Sequence, residues 1–74
     1  MITKNQLKEF AEIVHKNTKD KKRTIEIIRF AESHPGRIDK MMAFYNDKPE
    51  ATFSETQFRM SEIAMEETLA EQHN

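Results

Sequence analysis

Apolar side chains recur along this chain at spacings of three and four, and little interrupts them: Gly36, Pro35 and Pro49 are the only strong breakers in 74 residues. A period near 3.6 gathers apolar groups on one side of a helix, whereas a half-buried strand needs alternation, which no stretch sustains. The expected fold is therefore all-α. Breaks are expected at Pro35-Gly36, at Asn46-Asp47-Lys48-Pro49 and within the basic run after Lys16. They leave one domain spanning residues 1–74, a compact bundle of three to four helices with the longest at the C-terminus.

Local signals place the helix starts. Thr3 and Gln6 have the spacing of a capping box, in which hydroxyl and amide satisfy each other's orphan backbone N–H groups. The first helix should run to about Asn17, with Leu7, Phe10, Ala11 and Val14 inward and Ile13 at their edge. Thr18 or Asp20 should cap the second, which ends near Ser33. Ile25, Ile27, Ile28, Phe30 and Ala31 cover more than half of its wheel, which predicts cover on two sides and a central position. A short third helix, Arg37 to Tyr45, carries Ile38, Met41, Met42 and Tyr45 on one stripe.

At the fourth helix, Ser54 and Gln57 form a second capping box, and Phe53 and Phe58 stand at the spacing of a hydrophobic staple. The helix is expected from Glu55 to about Glu71. Phe58, Met65 and Leu69 share one stripe of its wheel and Met60, Ile63 and Ala64 another. Two apolar faces are one more than the core of so short a chain needs, so one face is expected to meet a partner. The surface assigned to that role is Met60, Ile63 and Ala64, flanked by Glu67 and Glu71.

Composition narrows the chemistry. With no Cys and no cluster of ligands at metal spacing, neither disulfides nor a metal is expected to brace this small fold, which leaves self-association as the remaining device. The expected locale is the cytoplasm, since no apolar run is long enough for a membrane span and no signal-peptide core is present. Formal charge is −1 but unevenly spread: residues 1–40 hold ten Lys or Arg against six Asp or Glu, and residues 41–74 hold two against seven. Five of the cations, Lys16, Lys19, Lys21, Lys22 and Arg23, fall in one short run suited to phosphate or to an acidic protein.

Motifs for catalysis are missing. Glu12 and His15 have the Glu-x-x-His spacing of carboxylate-bridged metal bundles, but the wheel puts both opposite the Leu7 and Val14 stripe, facing solvent. His34 falls in a turn and His73 in the tail. Hydroxyls occur at capping positions without an adjacent base, and Gly36 stands alone, so neither a nucleophile nor a phosphate loop is indicated. No cofactor is expected.

The second and third helices, joined through Pro35-Gly36, differ from a helix-turn-helix where it matters. A recognition helix built of Ile38, Met41, Met42, Ala43, Phe44 and Tyr45 leaves only Arg37, Asp39, Lys40 and Asn46 to reach base edges. Five Met against two Leu suit an adaptable contact surface. Together these features point to a non-enzymatic protein-interaction module: a homodimer, or a regulator or inhibitor that occupies a partner protein's surface, of the kind encoded by phages and mobile elements. The alternative is a dimeric nucleic-acid-binding regulator that uses the basic N-terminal half.

Overall fold

The computed structural model describes residues 3–72. Four helices follow one another, α1 (Lys4–Thr18), α2 (Lys21–Glu32), α3 (Arg37–Asp47) and α4 (Phe53–Gln72), with no strand among the described residues and the longest helix last. The all-α bundle expected from the 3.6-residue period is what forms. His73, placed in the tail by the sequence, lies outside the described residues.

Each corner has a local cause. Thr3 caps α1 through the expected box, its hydroxyl accepting from the Gln6 N–H at 3.1 Å while its own N–H donates to Gln6 Oε1 at 3.1 Å. α1 ends in Lys19, left-handed at φ 55°, whose N–H closes on the His15 carbonyl at 2.8 Å. Asp20 then caps α2 by accepting from the Arg23 N–H at 3.0 Å. Thr18 is not the cap; its hydroxyl braces the corner, 2.7 Å from the buried Thr24 hydroxyl. Gly36 turns the chain into α3 at φ 85°, a left-handed conformation that glycine adopts without cost. Asn17 ties the end of α1 to the far loop, its amide donating to the carbonyls of Pro49 at 3.2 Å and Ala51 at 3.1 Å.

The core gathers Phe10 and Val14 from α1, Ile27 and Ala31 from α2, Ile38, Met41 and Tyr45 from α3, and Ile63 from α4. Met60 and Phe53 of α4 pack against it and are half-buried. α3, not α2, is the central element: it packs against α1, α2 and α4. Broad apolarity on α2 does not translate into cover on two sides, because Ile25 stays exposed and Ile28 and Phe30 sit at the margin of the core.

The start of α4 differs from the expected one. Two overlapping capping boxes are written there, Thr52 with Glu55 and Ser54 with Gln57, and the first one forms. The Thr52 hydroxyl accepts from the Glu55 N–H at 3.1 Å, and the Thr52 N–H donates to Glu55 Oε1 at 2.9 Å. Glu55 has the advantage of a carboxylate at the positive end of the helix dipole. Starting two residues earlier moves the staple positions to Ala51 and Thr56, both buried. Phe58 is left outside, 68% exposed.

Candidate functional site

One polar tie joins the inward face of α4 to the start of α3. Arg37, the first residue of α3, places its Nε 2.9 Å from Glu67 Oε2 and its Nη2 2.7 Å from Oε1, a bidentate pair. Its Nη1 donates to the Phe30 carbonyl at 3.0 Å and to the Ser33 hydroxyl at 2.9 Å, and the guanidinium lies 4.0 Å from the Phe30 ring centre. One side chain thus joins the end of α2, the start of α3 and the C-terminal third of α4. His34 Nδ1 stands 3.6 Å from the same carboxylate. The hydrogen bond from Arg37 holds the Glu67 carboxyl below its ordinary value, and the Arg37 guanidinium is raised in turn.

Glu67 lies four residues beyond Ile63 and eleven beyond Thr56, so all three share the face of α4 that is turned toward the core. This corrects the expected contact surface. Ile63 is fully buried and cannot meet a partner in this fold. Met60 and Ala64 are half-buried, and Met60 packs on the core. Glu67 is engaged by Arg37, and only Glu71 is exposed.

The opposite face of α4 is the free one. Phe58, Met65 and Leu69 are 68%, 64% and 50% exposed and fall within about 40° of one another at 100° per residue, facing away from Ile63. Beside them toward α3 runs a row of charge in which Arg59 Nη1 stands 3.6 Å from Glu62 and 3.6 Å from Glu66, and Lys40 Nζ stands 3.8 Å from Glu66. On the other side the row is uncharged: Ser54, Ser61 and Thr68, all exposed. An open groove of about 810 Å³ between α3 and α4 has Phe44, Ala43 and Phe58 on its walls. The wheel shows two apolar faces, and the burial of Ile63 together with the Arg37–Glu67 pair marks the inward one.

The basic run sits at the α1–α2 corner. Lys16, Lys19, Lys21, Lys22 and Arg23 are all exposed, and none takes part in an ion pair among the described residues. Lys21, Lys22 and Arg23 occupy the first turn of α2, where the helix dipole disfavours cations. Arg23 lays its guanidinium 4.4 Å from the Phe53 ring centre, which spends it on the fold.

Elsewhere the polar groups are occupied or dispersed. Glu12 and His15 are exposed, with His15 Nδ1 3.5 Å from the Thr24 hydroxyl. Tyr45, its hydroxyl 3.4 Å from that of Thr56, is raised in pKa by burial. Among the described residues no group of three or more His, Asp or Glu side chains could hold a metal ion, and no buried side-chain polar atom lacks a partner. No described helix is long and apolar enough to cross a membrane. No protein-family model, no curated protein sequence and no solved structure matches this chain.

Proposed function

We propose that this chain is a non-enzymatic protein-interaction module that regulates or inhibits by occupancy, and that its contact surface is the outward stripe of α4. The observation that carries the reading is the exposure of Phe58, Met65 and Leu69 in one line, on the side of the helix that contributes nothing to the core. Single exposed apolar residues are ordinary, but an aligned set on one regular element suits the docking of an amphipathic helix or groove. Met65 contributes a flexible, polarizable side chain to such a contact.

The test places a photo-crosslinking benzophenone side chain at position 58 in cells making the protein, with position 12 on α1 as control. A discrete polypeptide adduct at 58 that disappears with Met65→Gln and Leu69→Gln supports the reading. If position 58 gives no more adduct than position 12, the stripe is not a docking surface. Circular dichroism on the same variants guards the comparison, since exposed positions should tolerate Gln without loss of helix.

A second reading, a nucleic-acid-binding regulator, draws on the five cations of the α1–α2 corner, which are exposed and outside any described ion pair. It requires affinity for duplex DNA that falls steeply with salt and vanishes when Lys19, Lys21 and Lys22 are changed to Gln. α3 offers it no recognition helix, because Ile38, Met41 and Tyr45 are buried in the bundle.

A further inference from the structure

Resting on that reading of α4 as the docking face, we propose that the partner is a second copy of this chain, paired antiparallel along α4. Phe58, Glu62, Met65, Leu69 and Gln72 follow one another at spacings of four, three, four and three, the seam of a short two-helix coil. Reversing one copy about the midpoint of Phe58 and Leu69 sets Phe58 on the partner's Leu69 and Glu62 on the partner's Met65. In that direction Phe58 and Leu69 meet twice and no two charges oppose one another along the seam. In a parallel pair Glu62 would face Glu62 across the seam, two like charges in direct opposition.

The flanks select the same polarity. Antiparallel pairing brings each flank against its own copy. On one side Ser61 and Thr68 meet their counterparts without charge. On the other, Arg59 comes level, within about 3 Å along the axis, with Glu66 of the second copy, and each pair forms twice across the two-fold axis. Within one chain Arg59 and Glu66 stand 3.6 Å apart, so the two groups share one row beside the seam.

Area places the interface in a size class. The three exposed side chains offer on the order of 350 Å² per protomer. With both flanks the pair covers about 1,000 Å² in total, the low end for a specific interface. An interface of that size suits a reversible dimer that dissociates on dilution.

Light scattering on a dilution series of the full chain reads this directly, and a charge-reversal cycle reads the polarity. Arg59→Glu and Glu66→Arg should each weaken the dimer at least several-fold, since each sets like charges against one another twice. The double variant, and a one-to-one mixture of the two single variants, should both recover it. A chain that stays monomeric into the millimolar range overturns the proposal. So does a dimer indifferent to the cycle, which would be paired another way. If position 58 crosslinks to a polypeptide of different mass while the pure chain is monomeric, the docking reading stands and only the self-pairing fails. Should a reversal variant lose helicity, Met65→Glu at an exposed seam position replaces it, with monomer expected and an unchanged dimer counting against the proposal.

Discussion

Arg37 makes more of its surroundings than any other side chain described: three bonds to a carboxylate, one to a carbonyl, one to a hydroxyl, and a stacked aromatic ring. Charge-assisted bonds of this kind contribute about 1.5–3 kcal/mol when lost at a partly shielded site. Arg37→Ala should therefore lower the urea midpoint clearly, whereas Lys40→Ala, whose 3.8 Å contact with Glu66 lies in solvent, should move it little. Glu67 and Glu55 titrate below the ordinary carboxylate value of 4.5, the first through Arg37 and the second through the Thr52 backbone N–H. A depressed folded-state pKa adds stability above that value and loses it as pH falls below. Thermal melts should drop as pH falls below about 4.5, and Glu67→Gln should flatten the slope. Ile63→Asp, placed on a contact surface by the sequence alone, is expected to unfold the chain, because it buries an unpaired charge in the core.

At the scale of elements, α1 and the Pro35-Gly36 corner were legible in the sequence because their signals are local and unopposed. The start of α4 was not, because two capping boxes overlap and only packing chooses between them. Thr52→Ala should cost about 1 kcal/mol, the usual loss of an N-cap, while Ser54→Ala should be nearly neutral; chemical denaturation of the two variants compares them. The central helix was misplaced for a related reason. Breadth of apolar surface on a wheel reports what a helix could bury, and α2 leaves part of its breadth at the margin. α4 joins the rest through α3 and the Arg37 clasp, and its residues beyond Glu67 are exposed. Amide exchange should accordingly be faster over residues 68–72 than over α3.

Over the whole molecule, fold class followed from periodicity and the breaks gave the helix number to within one, while the face of α4 that stays exposed did not follow. Choosing between two apolar faces of one helix needs long-range contacts, Ile63 with the core and Arg37 with Glu67 thirty residues away, which no spacing rule links. The basic run at the α1–α2 corner is visible in the sequence, whereas the mixed-charge row of Lys40, Arg59, Glu62 and Glu66 forms only once α3 and α4 are side by side. Phe58→Gln with Leu69→Gln should leave the melting temperature of dilute protein unchanged, because neither side chain has a place in the core. Differential scanning calorimetry at low concentration makes the comparison.

Gly36 has a further consequence, one of handedness. At φ 85° it holds a backbone shape native to mirror-image amino acids, and a methyl group built on it in the ordinary hand meets nothing within 4 Å. An L-alanine there would be strained by torsion alone. A D-alanine would fit the torsion, and by restricting the unfolded chain it should stabilise the fold by about 0.4–1 kcal/mol. At 74 residues the chain is short enough to be assembled chemically with that single inverted centre. A melting temperature raised by a few degrees would show that the α2–α3 corner prefers the opposite chirality.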